Sequence, residues 1–337
     1  MDELIILTGA NGHLGRTIVR QLAGSGKNVR GLVLPREDTA FLDEMGVETL
    51  YGDVRDRGSL KALFEGTDGQ KLVVIHAAGI INITSHVPPE MWEVNVTGTK
   101  NMAELSLEYH AERFVYISSV HAIQEKPDRE QILETKDFSA DSVSGGYAKT
   151  KAEAAAYIME CAEKKGLPAV VLHPSGIIGP GDSGTNHVVA VIKAYLEKRV
   201  PASIWAGYNL VDVRDVAQAV IASIDKGRVG ETYILSGHHC KLPNIFKAVN
   251  LIVGDGPRIC PVVPKWVARL AVPIIEKAAL RGNKRPLFTK YALETLDSND
   301  NFSYAKASRE LGFHPRSIFD SLKGTVAWLE QVKIDNE

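Results

Sequence analysis

Cysteine is scarce in this chain, with three among 337 residues. Cys161, Cys240 and Cys260 fall in no paired spacing, which excludes a disulfide framework and a cysteine-built zinc site. Cys240 follows His238 and His239, but neighbouring side chains diverge and no second ligand cluster follows, so no metal site is expected. An excess of one charge is lacking too: 39 Lys and Arg stand against 41 Asp and Glu, a net charge of −2. That balance leaves no electrostatic footprint for nucleic acid. Uncharged apolar runs long enough to span a bilayer are missing, as is a basic leader with a cleavable apolar segment. Repeats and low-complexity stretches are absent as well. These absences predict a reducing, cytoplasmic setting and a small molecule as partner.

What is present is ample apolar material, 45% of the residues, in short runs. Leu4, Ile5, Ile6, Leu7 and Thr8 form such a run, as expected of a strand buried on both faces. Gly9, Gly12 and Gly15 follow at once, within the segment Gly9, Ala10, Asn11, Gly12, His13, Leu14, Gly15, and a helix is predicted over 14–22. Strand, glycine-rich turn and helix is the setting in which backbone can approach a pyrophosphate: glycines clear the contact, and the helix start supplies N–H groups and positive dipole.

Further strands are predicted over 29–34, 47–51, 72–76, 114–117 and 169–172, with helices between them. The alternation indicates an α/β fold with a doubly wound parallel sheet of the Rossmann kind. Past residue 180 the pattern loosens. Strands are expected at 210–213 and 232–235. Helices are expected at 188–199, 215–225, 243–253, 264–280, 304–311 and 317–331. The predicted division is a dinucleotide-binding domain over 1–180, with 207–238 returning to it, and a smaller, mostly helical substrate lobe over 181–206 and 239–337. The 264–280 helix is the most apolar, yet charged residues and Pro273 interrupt it. Core packing, a hydrophobic substrate mouth and a membrane surface are the three roles open to it.

The ends of the strands carry the candidate chemistry. The second strand ends without an acid at Leu34, and Arg36 lies close enough to meet a 2′-phosphate, which points to NADP ahead of NAD. A solvated loop residue is the other reading of Arg36. Asp53, followed by Val54, either caps the next helix or faces an adenine amino group. Ala77, Ala78 and Gly79 are small enough to let a ligand ring approach. Ser118 and Ser119 end the fifth strand at the carboxyl edge of the sheet. Tyr147 and Lys151 are four apart at the start of a predicted helix, hence on one face of it. A nearby ammonium favours the phenolate and lowers a tyrosine pKa from its ordinary value of about 10. Such a pair suits proton exchange with a substrate oxygen.

Collected, these residues resemble the extended short-chain dehydrogenase/reductase family, across nearly the whole chain. The motifs that carry the likeness are Thr8-Gly9-x-x-Gly12-x-x-Gly15, Asp53-Val54, Ala77-Ala78-Gly79, Asn95, Ser118-Ser119, Tyr147-x-x-x-Lys151 and Pro174. The stretches from Asp212 to Ala217 and from Lys306 to Phe313 add to it. The resemblance implies that Ser119 hydrogen-bonds a substrate carbonyl, that Tyr147 transfers the proton and that Lys151 binds the nicotinamide ribose. Pro174 to Ile177 would lie by the carboxamide, and Asn95 would support its helix. The stretch from His173 to Gly181 is nearest in character to the dihydroflavonol reductase and 3β-hydroxysteroid dehydrogenase branch. Nucleotide-sugar enzymes of the family usually carry an asparagine where Gly176 stands. The expected activity is therefore reduction of a carbonyl, or oxidation of an alcohol, on a small and mostly apolar substrate; a nucleotide-sugar epimerase or dehydratase is the alternative. The resemblance also implies a homodimer through the 90–110 and 147–165 helices, where Ala152, Ala155 and Ala156 would permit close approach.

Overall fold

The computed structural model describes residues 2–82, 88–182, 184, 186–254, 260–281, 289, 290, 293, 296 and 298–334. Six parallel strands come first in the chain: β1 (Glu3–Thr8), β2 (Asn28–Val33), β3 (Glu48–Tyr51), β4 (Lys71–His76), β5 (Arg113–Ile117) and β6 (Ala169–Pro174). With the strand Glu231–Leu235 they form one seven-stranded sheet, in the order β3, β2, β1, β4, β5, β6, Glu231–Leu235. Every pairing in it is parallel. The winding direction reverses between β1 and β4, and ligands bind in the crevice at the carboxyl ends of strands at such a point.

The central strands are buried on both faces, so they read as unbroken apolar runs. Ile5, Ile6, Leu7, Val73, Val74 and Ile75 are wholly inaccessible. Even side chains of β1 pack with Phe114, Tyr116 and the Thr99–Glu108 and Gly146–Lys164 helices. Odd ones pack with the His13–Leu22 and Val213–Lys226 helices. Each helix layer thus closes one face of the sheet and leaves its carboxyl edge open.

The expected 90–110 helix is divided. It runs as Pro89–Trp92, a π-helical turn Glu93–Gly98, and Thr99–Glu108. Gly98 passes Val54 closely here: a Cβ on it would lie 2.6 Å from Val54 Cγ2. The strand expected at 210–213 is Gly207–Asp212, and it lies outside the main sheet. It pairs parallel with Gly176–Ile178 and antiparallel with His238–Lys241. Asp212 then caps the following helix, accepting from Arg214 N at 2.9 Å.

A third apolar cluster joins the His187–Leu196, Leu242–Val253 and Ile318–Ile334 helices. Beside it lies the Lys265–Arg281 helix, with Pro273 inside. Among the described residues no helix is long and apolar enough to cross a membrane.

Candidate active site

The glycine turn is shaped by close approach. Thr8 closes β1, and Gly9 adopts φ +68°, where L side chains are strained. A Cβ on Gly9 would sit 2.9 Å from Ala78 N, and one on Gly15 only 2.1 Å from Gly9 O. Gly12 N donates to Gly9 O at 3.0 Å, and the His13–Leu22 helix starts directly from Gly12 with no side-chain cap. The first amides of that helix are therefore left without a side-chain acceptor, the condition for holding a phosphate. Leu14 packs half-buried on the core. His13 Nε2 meets Pro180 O at 3.0 Å and so ties the glycine turn to the loop after Ile178. Burial lowers the His13 pKa, which keeps the ring neutral.

Asn11 has a bracing role. Its Nδ2 donates to Asp38 O at 2.8 Å, and its Oδ1 accepts from Arg16 Nε at 2.9 Å. The loop it braces carries Arg36. Glu37 N donates to Leu34 O at 3.1 Å, closing a turn with Pro35 at its second position and Arg36, at φ 74°, at its third. That is the third position of a type II turn, where glycine or asparagine is usual. Arg36 is exposed, two residues before the Asp38 carbonyl that Asn11 holds.

Asp53 is not the cap of the next helix. Asp56 does that, accepting from Gly58 N at 2.9 Å. Asp53 accepts instead from Arg55, through the backbone N at 2.9 Å and Nη2 at 2.6 Å. The Arg55 guanidinium holds its carboxyl below the usual carboxylate range. Val54 is buried beneath Gly98.

A chain of buried polar groups links the glycine turn to the Tyr147 helix. Ala78 N donates to Thr8 Oγ1 at 3.2 Å, and Thr8 Oγ1 lies 2.7 Å from His76 Nδ1. His76 Nε2 lies 3.0 Å from Thr99 Oγ1, whose own proton goes to Asn95 O at 2.7 Å. The donors settle the histidine tautomer. Thr99 has spent its proton, so Nε2–H must donate to it, and Nδ1 must accept from Thr8. Burial pushes the His76 pKa down to about 3, so the ring is neutral, as this pattern requires. Asn95 continues the chain. Its Oδ1 accepts from Ile80 N at 2.8 Å, and its Nδ2 donates to Ile80 O and to Thr150 Oγ1, both at 3.0 Å. Thr150 Oγ1 in turn donates to Tyr147 O at 2.8 Å. Asn95 thus fastens the loop after Ala77, Ala78 and Gly79 to the first turn of the Gly146–Lys164 helix.

That helix presents Tyr147 and Lys151, both buried. Lys151 Nζ donates to Ile117 O at 2.9 Å and lies 5.1 Å from the centre of the Tyr116 ring. A Cβ on Gly79 would fall 3.4 Å from that nitrogen, so the glycine leaves the space beside the amine open. Burial pushes the Lys151 pKa down to about 8, within reach of neutral pH. Ser119 lies two residues beyond Ile117, and its Oγ accepts from His121 N at 3.3 Å. The His121 ring meets the Tyr147 ring edge-on at 6.2 Å. Ser119 O accepts from His173 Nδ1 at 3.0 Å, which sets β6 against the end of β5. His173 Nε2 and Ser175 Oγ are buried with no hydrogen-bond partner among the described residues. Pro174 is buried at the end of β6, and Ile177 is half-buried in the second sheet.

Ser119, Tyr147, Lys151, Gly79 and Asn95 are therefore gathered at the carboxyl ends of β4 and β5. The three glycines, Asn11, His13, Ala77 and Ala78 lie at the adjoining ends of β1 and β4. Asp53 and Arg36 flank them on the β2 and β3 side. Sequence reasoning gave no role to His76, Thr99, Thr150 and His121, and named Thr8 and His173 only as members of longer motifs. The available signal was a histidine at the end of β4 and one just before the end of β6, each directly after an apolar run.

Residues 5–236 match the NAD dependent epimerase/dehydratase family, and the chain belongs to it. It is an enzyme of the short-chain dehydrogenase/reductase type, in the extended branch. Similar proteins include sterol demethylase protein B of Methylococcus capsulatus, 29% identical over 97% of this chain and 98% of that one. Sterol-4-alpha-carboxylate 3-dehydrogenase erg26 of Schizosaccharomyces pombe is 25% identical over 99% of each chain. The crystal structure of gox2253 superposes with a TM-score of 0.83, at 30% identity over 98% of this chain and 99% of that one.

Proposed function

We propose that this enzyme reduces a carbonyl, or oxidises an alcohol, on a small and mostly apolar substrate, with Tyr147 as general acid and base. The observation that carries the reading is the convergence of Tyr147, Lys151 and Ser119 beside Gly79, in a site whose glycine turn fits a nicotinamide dinucleotide. The fit rests on backbone space: side chains on Gly9, Gly15 or Gly79 would fill the cradle. Gly9, Asn11, Gly12, His13, Leu14, Gly15, Asp53, Val54, Ala77, Ala78, Gly79, Pro174 and Ile177 are proposed to form it. When bound, the nicotinamide supplies the hydride acceptor or donor.

The protein's own work is on the oxygen. Charge develops there as hydride moves, and preorganised donors contribute most at that point. Ser119 donates a hydrogen bond but is too weak an acid to give up its proton. Lys151, anchored on Ile117 O, places positive charge one helical turn from the phenol and favours its ionised form. Tyr147 then exchanges the proton. Loss of the phenol in Tyr147→Phe is expected to reduce turnover by about 10²–10⁴-fold with cofactor affinity nearly intact. A panel of ketones, aldehydes, flavonoids and steroids, followed by cofactor absorbance, provides the assay. Near-normal turnover of Tyr147→Phe with chemistry rate-limiting would remove Tyr147 from the role.

Two observations support an apolar substrate over a nucleotide sugar. A Cβ on Gly176 would meet Leu210 Cδ2 at 3.0 Å and Asn209 O at 3.1 Å, so an asparagine is poorly accommodated there. The proposed substrate lobe also holds an open, mostly apolar pocket of about 790 Å³, with walls from Ile204, Leu242, Phe246, Val267, Val272 and Ile275 and none from Ser119, Tyr147 or Lys151. In this reading residues 1–180 and 207–238 bind the dinucleotide, and 181–206 with 239–337 bind the substrate. NADP is the preferred cofactor, through the exposed Arg36 on its braced turn. A homodimer through the helix faces at 90–110 and 147–165 completes the reading. Ala152 and Ala155 are fully buried within the chain, so the partner would meet Lys149, Glu153, Ala156 and Tyr157 instead.

A further inference from the structure

The Lys265–Arg281 helix is apolar on two faces. Val267, Ala268, Ala271, Val272 and Ile275 line the cavity of about 790 Å³. On the other side, Trp266, Leu270 and Ile274 are 66%, 68% and 72% exposed. These three follow each other at four-residue spacing, so they form one stripe along the outside of the helix. Long apolar side chains left in water at this density mark a contact surface. Val262, in the strand entering the helix, is exposed as well.

The charges around the stripe select its partner. Lys265, Arg269, Lys277 and Arg281 are exposed, and by helical spacing Lys277 and Arg281 continue the stripe through its last turn. The single carboxylate of the helix, Glu276, is half-buried and accepts from Lys290 N at 3.2 Å, which turns it toward the protein. An apolar stripe with a tryptophan at one end and cations alongside is the composition of a helix that lies in the interface of an anionic bilayer.

We infer that the outer face of the Lys265–Arg281 helix docks on the surface of an anionic lipid membrane, with the apolar cavity directly behind it. Docking would place that cavity beside a reservoir of apolar molecules. The inference does not depend on which reaction Tyr147 performs.

Flotation of the full chain with vesicles tests it, using phosphatidylcholine alone and phosphatidylcholine mixed with phosphatidylglycerol. Wild type is expected to float with the mixed vesicles, less with the neutral ones, and less again as salt rises. Leu270→Glu with Ile274→Glu, outside the cavity wall, is expected to reduce partitioning by at least about tenfold, at unchanged melting temperature. Lys277→Gln with Arg281→Gln is expected to abolish the preference for anionic vesicles while keeping weak neutral binding. Trp266→Gln provides a milder test should the double glutamate variant fold poorly. Failure of wild type to bind either vesicle, or equal binding by wild type and the stripe variants, overturns the inference. So does self-association of wild type by light scattering that the same stripe variants abolish without vesicles, which would assign the stripe to a second copy.

Discussion

Acid should destabilise this protein in a way that single substitutions can take apart. His76 and His173 are wholly inaccessible, and burial pushes their pKa values down to about 3 and about 4. In the unfolded chain a histidine titrates near 6.5. Below about 6.5 the unfolded state therefore binds protons that the native state refuses, and stability is lost as pH falls, until the native value is reached. Each such histidine costs about 1.4 kcal/mol per pH unit across that window. The two together remove roughly 3 kcal/mol between pH 6.5 and pH 5, against a total stability of order 5–15 kcal/mol.

The discriminating variant is His76→Gln. Its amide offers one acceptor and one donor that do not titrate, so it keeps hydrogen-bonding capacity toward Thr8 and Thr99 without a proton-binding site. Urea unfolding at intervals from pH 7.5 to pH 5 gives the slope of stability against pH. The variant slope should be shallower by about 1.4 kcal/mol per unit, one proton's worth. Carboxylates with lowered pKa, such as Asp212 and Glu231, add losses of the same sign at lower pH. They are common to both proteins and cancel in the difference. His76→Phe should show the same shallow slope but be weaker at every pH by about 1–3 kcal/mol, because it leaves Thr8 without an acceptor. A His76→Gln slope equal to that of wild type would refute the assignment of a neutral, proton-refusing ring.

Three further substitutions separate close approach, buried charge and cofactor choice. Gly15→Ala places a methyl 2.1 Å from Gly9 O, so the glycine turn must move, and nicotinamide dinucleotide affinity should fall by at least about tenfold in a fluorescence titration. Gly24→Ala, in open space at φ +79°, is the control, costing about 1 kcal/mol of strain with affinity kept. Asp212→Ala removes a wholly buried carboxylate from Arg214 Nη2 at 2.7 Å and Arg316 Nε at 3.7 Å, and urea unfolding should show a loss of about 3–5 kcal/mol. Arg36→Ala should weaken NADPH and spare NADH, at a cost of about 1.5–3 kcal/mol for a lost charge-assisted contact; equal weakening of both in calorimetry would remove Arg36 from cofactor choice.

The sequence made legible whatever local chemistry determines. A parallel strand covered on both faces must be apolar throughout, so β1, β4, β5 and β6 stood out within a residue or two. The glycines and the Tyr147–Lys151 spacing were visible because each lies within a single turn. The second sheet was hidden for the opposite reason. Gly176–Ile178 is too short to show a period, and His238–Lys241 is a polar edge whose partner lies some thirty residues earlier. The network that positions Tyr147 was hidden by distance along the chain. Thr8 and His76 are 68 residues apart, and Asn95 and Thr150 are 55 apart.

The Lys265–Arg281 helix shows most sharply where sequence periodicity stops deciding. Periodicity reports that a side chain avoids water in some environment, and it treats a core, a cavity wall and an interfacial stripe alike. Here the same helix has a cavity wall on one side and an exposed stripe on the other, so its apolar residues spread around the axis, with cations between them and no single core-facing stripe. Only the exposures of Trp266, Leu270 and Ile274, set against the burial of Ala268 and Val272, separate the two faces. That separation is what turns an ambiguous apolar segment into a surface with a direction, and into an inference that vesicles can refute.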